Sequence, residues 1–198
     1  MYNWRDRIEA ALNAPAGASS DYDLNPEISL PSNRVLRPAG VLIGIYGNAG
    51  APVVYLTKRA SHLKHHPGQI AFPGGKMDQG DPDETAAAIR EAHEEIGLPT
   101  DVVDVIGHLS AHETVTGFNV IPTVVEIIGP FRPVSDPSEV AEVFTVPLAH
   151  VMEPKNYLIE SRIWRGSRRK FFTVPYGPYY IWGATARMLY GLATRIAQ

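Results

Sequence analysis

Between Pro82 and Gly97 the apolar positions Ile89, Ala92 and Ile96 recur at helical spacing, and Glu91, Glu94 and Glu95 project to the opposite side. Asp81 is placed to cap this helix, Pro82 to take its first position and Glu84 its third, while Gly97 suits the stop and Pro99 follows. Ala87 and Ala88, a turn before the acids, leave room for another group to approach. Elsewhere the pattern alternates between two periods. Trp4 to Asn13 and Ala184 to Ile196 read as amphipathic helices. Val41 to Tyr46 and Pro52 to Thr57 are β-branched runs joined by the turn signal Gly47-Asn48-Ala49-Gly50. Val102 to Leu109, Val120 to Ile128 and Val140 to Val146 predict further strands, with a helical turn at Leu148 to Met152. Tyr157 to Trp164 and Lys170 to Val174 flank Arg165-Gly166-Ser167-Arg168 as a second hairpin. Ala14 to Pro38, rich in Pro, Ser, Asn and Asp, reads as an arm. There is no internal repeat, and this order of elements predicts an α/β fold with a mixed sheet between helices.

Carboxylates a turn apart repel, so crowding Glu91, Glu94 and Glu95 on one helix face is costly unless a cation is held there. Hard oxygen donors suit Mg²⁺ or Mn²⁺, the ions of phosphate chemistry. Taken alone, such a face reads more readily as solvated surface, with Arg90 pairing to Glu94 four residues on. The preceding Phe72-Pro73-Gly74-Gly75 tilts the balance, because it sets bare backbone beside the acids where a metal or phosphate could approach.

The segment from Gly75 to Leu98 resembles the Nudix box, G-x5-E-x7-R-E-U-x-E-E-x-G-U, where U is aliphatic. Arg90, Glu91, Glu94, Glu95, Gly97 and Leu98 fall on its fixed positions, with Ala92 at an aliphatic one. Asp81 stands where the first Glu is expected, and one extra residue separates it from Arg90, so the box leaves the role of Asp81 open. A longer box with Asp there looks like the coenzyme A pyrophosphatase branch. Leu56 to Gly75 is similar to that branch's signature, L-L-T-x-R-S-x-x-L-R-x-H-x-G-Q-x-x-F-P-G-G, with Tyr55, Ala60 and Lys64 replacing its first Leu, its Ser and its second Arg.

The resemblance implies an α/β/α sandwich over residues 39–198, with residues 1–38 forming a helix and arm packed on it. It implies Mg²⁺ or Mn²⁺ held by Glu91 and Glu95, with Glu94 as a third ligand and the Gly75 carbonyl as a backbone donor. Arg90 would orient the carboxylates. Arg59, Lys64, His65, Gln69, Gly74 and Gly75 would meet a coenzyme A-like substrate, although Lys64, a point charge, cannot grip phosphate in a fork. The general base would be a box glutamate, Glu139 or a metal-bound hydroxide. The implied reaction cuts coenzyme A at its diphosphate into 4′-phosphopantetheine and adenosine 3′,5′-bisphosphate. Two other readings share the box: a Nudix hydrolase of another nucleoside diphosphate derivative, such as ADP-ribose or a dinucleotide, and a non-catalytic binding module. By analogy with the family, a homodimer is the assembly to test.

The bulk properties narrow the classes. A chain of 198 residues, 44% hydrophobic, can bury one sizeable core. A net charge of −3 without a basic run offers no nucleic-acid surface. The absence of cysteine excludes disulfides and thiolate sites and fits a cytoplasmic setting. Met1 to Ala18 lacks the apolar core of a signal peptide, and no stretch is apolar enough for a membrane span. His112-Glu113 starts like a zinc-protease motif, but Thr116 stands where its second histidine should be. His62, His65 and His66 read as loop residues. Glu139 and Glu142 fit either a late catalytic acid or surface. Tyr176, Tyr179, Tyr180 and Trp182 read as core and rim, and Arg168, Arg169 and Lys170 as a solvated turn that could instead attract the 3′-phosphate of coenzyme A.

Overall fold

The computed structural model describes residues 3–28, 30–31, 33–47, 51–164 and 166–197. In chain order its elements are α1 (Trp4–Asn13), β1 (Ser19–Ser20), β2 (Arg37–Tyr46), β3 (Val53–Arg59), β4 (Ile70–Ala71), β5 (Gly74–Lys76), α2 (Glu84–Ile96), β6 (Val103–His108) and β7 (His112–Glu113). There follow β8 (Phe118–Ile127), β9 (Val140–Pro147), α3 (Leu148–Val151), β10 (Leu158–Trp164), β11 (Ser167–Thr173) and α4 (Ala184–Ile196). The turn residues Asn48, Ala49, Gly50 and Arg165 lie outside the described residues.

The strands β1 to β9 join in one mixed sheet, and β10 and β11 form a separate antiparallel hairpin. At the centre, β2 runs parallel to β8, with Ala39 opposite Val120, and antiparallel to β3 through Ile45–Val54 and Tyr46–Val53. Because successive strand residues face opposite ways, β2 supplies both cores. Leu42 joins Ala88, Ala92, Ile96 and Val125 beneath α2, whereas Ile43 and Ile45 join Ile8, Ala11, Leu189 and Leu192 beneath α1 and α4. The result is the expected α/β/α sandwich, a sheet covered on both faces. No helix among the described residues is long and apolar enough to cross a membrane.

The start of α2 differs from the sequence expectation. Asp83, not Asp81, is the cap, its carboxylate accepting the Ala86 N–H at 2.8 Å, so Pro82 lies outside the helix. Asp81 is drawn away by Arg90. Ile89 is only partly buried, and the inward stripe is Ala88, Ala92, Glu95 and Ile96. The stop is as expected, with Gly97 left-handed at φ 70°.

Candidate functional site

The site is built where β5 lies along β2 and α2 crosses above them. Gly75 pairs with Gly40 and Gly74 with Val41. The approach is as close as backbone allows. A Cβ at Gly40 would overlap the Glu84 carbonyl oxygen, and one at Gly74, whose φ is 152°, would overlap Gly40 and Val41. A Cβ at Gly75 would overlap the Glu91 carboxylate. The glycines therefore let α2 lower its acids onto the loop, and backbone meets carboxylate with nothing between them.

The three box glutamates end in different places. Consecutive helix residues point about 100° apart, so Glu94 and Glu95 cannot both face inward. Glu95 is 5% exposed, and its Oε2 accepts the Gly74 N–H at 3.2 Å. Burial pushes its pKa up to about 8; the Gly74 hydrogen bond opposes the rise, and the charges of Glu91 and Glu139 add to it. Glu91 is half-buried; desolvation raises its pKa, Arg90 opposes the rise, and Glu94 and Glu139 contribute to it. Glu94 stands out in solvent, its side chain 56% exposed.

Arg90 ties the outer acids together. Its Nε and Nη2 donate to the Asp81 carboxylate at 3.0 and 2.9 Å, and its Nη1 donates to Glu91 at 3.1 Å and Glu94 at 3.0 Å. The Asp81 side chain is 7% exposed, and Arg90 holds it below the usual carboxylate range. The acid at the shifted position of the box thus anchors Arg90, and Arg90 fixes Glu91.

Glu139 reaches the site from the segment that runs back along α2, held by Asp136 N–H to Glu95 O at 2.9 Å and Ala60 N–H to Glu139 O at 2.8 Å. Arg59, the last residue of β3, is the cation near Glu95 that lowers its pKa. It also stands by His66, whose pKa is lowered by burial and by that Arg59 charge, although the residue is exposed at its rim. His66 has the left-handed φ of 54° and shares a hydrogen bond with Gln69. Lys64 and His65 are exposed on the same loop. The structure thus brings Glu91, Glu95, Glu139, Arg59, Gly74 and Gly75 together, puts Gln69 beside the loop's base, and leaves Glu94, Lys64 and His65 at the rim.

No three His, Asp or Glu side chains among the described residues converge to ligating distance of one point. The chemistry of the donors nonetheless fits a hard divalent cation. Two carboxylates whose pKa values are raised first by burial and then by neighbouring acids, Glu139 among them in both cases, are stabilised by a positive charge that Arg59 and Arg90 only partly supply.

The remaining sequence candidates have other partners. His112 is fully buried, its Nδ1 2.9 Å from Ser19 Oγ and its Nε2 3.2 Å from the Asp21 carboxylate, so it fastens the arm. Glu142 accepts a short hydrogen bond from Tyr179, whose ring stacks on Phe144. Arg169 lies over the Trp164 ring, with its guanidinium carbon 4.3 Å from the ring centre. The sequence singled out Asp81, as a cap and as the displaced acid of the box, but not its pairing with Arg90 nine residues on; Asp21 was missed, because its partner His112 lies 91 residues away and no local pattern links them.

The NUDIX domain profile matches residues 36–164. A protein of an Enterobacter species, described as an uncharacterized Nudix hydrolase NudL, is 41% identical over 160 residues, covering 81% of this chain and 83% of its own. A NudL protein of Cronobacter sakazakii, also uncharacterized, is 41% identical over 176 residues, covering 88% and 90%. Among solved structures, a MutT/nudix family protein from Enterococcus faecalis superposes with a TM-score of 0.51 at 13% identity, covering 100% of this chain and 75% of that one, a likeness of fold.

Proposed function

Since the chain belongs to the Nudix hydrolase family, we propose that it hydrolyses the diphosphate bond of coenzyme A or its derivatives, in a reaction that depends on Mg²⁺ or Mn²⁺. The observation that carries the hydrolytic reading is the buried carboxylate of Glu95, set against the Gly74 N–H, with Glu91 and Glu139 close by. The coenzyme A preference rests on the block from Leu56 to Gly75, which another diphosphate hydrolase would not need.

Glu91 and Glu95 would hold the cation, with the Gly75 carbonyl beside them. A cation held there would supply polarisation of the diphosphate and a lowered pKa for the attacking water. The chain's own residues set the geometry. Arg90, anchored on Asp81, keeps Glu91 turned toward Gly75, an orienting task that metal ligands commonly need. Arg59 supplies positive charge at the mouth, where a diphosphate oxygen would lie. Glu139 lies close enough to Glu91 and Glu95 for its charge to act on both, and we assign it the proton of the attacking water. Glu94, out in solvent and paired to Arg90, supports Arg90. Water adds to one phosphorus as the bridging P–O bond breaks, giving 4′-phosphopantetheine and adenosine 3′,5′-bisphosphate.

The test is incubation with coenzyme A and either cation, with products resolved by mass spectrometry and Glu95→Gln run alongside. The expected result is 4′-phosphopantetheine from the wild type and a loss of at least about 100-fold in rate for the variant. Intact coenzyme A with cleaved ADP-ribose would overturn the substrate. No cleavage of any diphosphate in a broad panel would overturn the hydrolytic reading of the site.

A further inference from the structure

A cavity of about 250 Å³ lies on the sheet face opposite α2, walled by the arm (Ala14 to Gly17 and Ser19), by Leu109 and Ser110 after β6, and by α4. Its charged lining is cationic. Arg187 and Arg195 both enter it from α4, eight residues apart, with Gly191 midway between them on the same face.

The two arginines differ in their partners. Arg187 donates from Nε and Nη2 to Asp23 at 2.8 and 2.7 Å. Arg195 meets no carboxylate among the described residues, and its one hydrogen bond is a long contact from Nη2 to Ser110 Oγ at 3.4 Å. Burial, and then the neighbouring Arg187 charge, lower its pKa, so the uncompensated positive charge is felt within the cleft. Two guanidiniums therefore line the cavity, and the one acid that pairs with them, Asp23, lies outside its lining.

Gly191 points the same way. Glycine inside a helix costs about 1 kcal/mol relative to alanine, so packing should require it. Here packing does not. A Cβ at Gly191 would meet only Arg187 Nη1, at an ordinary 3.5 Å. What the missing side chain leaves is open space between the two guanidiniums.

We propose that this cavity binds the phosphate group of a small phosphomonoester, gripped between Arg187 and Arg195, with its organic part against Leu109 and Met188. A phosphomonoester dianion balances the excess charge and has enough oxygens to meet both the Arg195 guanidinium and Arg187 Nη1, the nitrogen that Asp23 leaves facing Gly191, whereas a single carboxylate is used up by the Arg195 fork. The volume of about 250 Å³ suits a molecule of sugar-phosphate size. The site does not depend on the diphosphate chemistry on the other face.

The experiment is calorimetric titration of the full chain, freed of divalent cations by a chelator, with inorganic phosphate, glycerol 3-phosphate and malonate. The expected result is saturable binding of both phosphates, with glycerol 3-phosphate the tighter and malonate the weakest. Arg195→Met and Gly191→Leu should each weaken phosphate binding about tenfold or more, with helical circular dichroism retained. If Arg195→Met unfolds, Arg195→Lys serves in its place. It keeps the charge but loses the fork and should also bind more weakly. Arg59→Ala, at the other site, should leave the titration unchanged. Four results would overturn the proposal: no saturable phosphate binding, equal affinity in the folded variants, tighter binding of malonate, or loss of binding in Arg59→Ala.

Discussion

Glu95 is a buried carboxylate with a single side-chain hydrogen bond among the described residues, and its protonation should govern the stability of the metal-free protein. Its pKa rises from an ordinary 4.5 to about 8 on folding. A group whose pKa is higher in the folded state binds its proton more tightly there. The stability it contributes is therefore complete below the ordinary value and is lost as pH climbs through the folded one. Between about pH 4.5 and 8 the metal-free protein should lose stability with a slope from this group of at most about 1.4 kcal/mol per pH unit. Glu91, shifted in the same direction, adds to the decline. Glu95→Gln removes the larger contribution. Urea midpoints measured across that range should fall less steeply in the variant, and at pH 8 without metal the variant should be the more stable protein. Parallel curves for the two proteins would mean that Glu95 is not the uncompensated acid its surroundings describe.

At the scale of the element, α2 is seated by an absence of side chains. Gly40 lies directly under the Glu84 carbonyl and 3.1 Å, measured from an added Cβ, from the Ala88 nitrogen, so any larger residue must lift the helix. Gly40→Ala should cost about 1–3 kcal/mol by overpacking. Because lifting α2 also withdraws Glu91 and Glu95 from Gly74 and Gly75, hydrolysis should fall in the protein that remains folded. A thermal melt and an assay on the same sample test both effects, and an unchanged melting temperature would refute the close seating. The long elements were legible in the sequence because their periodicity is local; α1 and α4 begin and end where the pattern places them. Four short strands were not. The two-residue strands β1, β4 and β7, and β5 with its two glycines, carry too few residues for a period and exist only through remote partners. The start of α2 was misplaced for a related reason. Asp81 and Asp83 are equally good caps in isolation, and the choice is made by Arg90, which claims Asp81 from nine residues away. Likewise, helical geometry alone groups Glu91, Glu94 and Glu95, and only the position of the sheet decides that Glu95 is buried and Glu94 is not.

For the whole molecule, the segment read as an arm has irregular backbone, as its composition predicts, yet it is fastened by buried polar anchors. Asn25, 1% exposed, donates to the Lys170 carbonyl at 2.9 Å and accepts the Lys170 N–H at 2.8 Å, tying the arm to β11. Asp21 accepts from the Val115 N–H at 2.9 Å and faces His112, tying it to β7, while its backbone N–H donates to Glu113. These partners stand more than ninety residues away in sequence, beyond the reach of any local pattern. The charge of Asp21 also reaches His66, opposing the fall in its pKa, so the arm lies near the loop that follows Arg59. If the arm docks as one unit, breaking either anchor should release the other. Asn25→Ala and Asp21→Ala should each cost about 1–3 kcal/mol, since each leaves buried polar groups without partners. The double variant should then cost clearly less than the sum of the two, because the second anchor has little left to hold. Denaturation of the four proteins gives this coupling directly. Additive costs would mean that β7 and β11 grip the arm independently, and that its docking beside the active-site loop is not a single event.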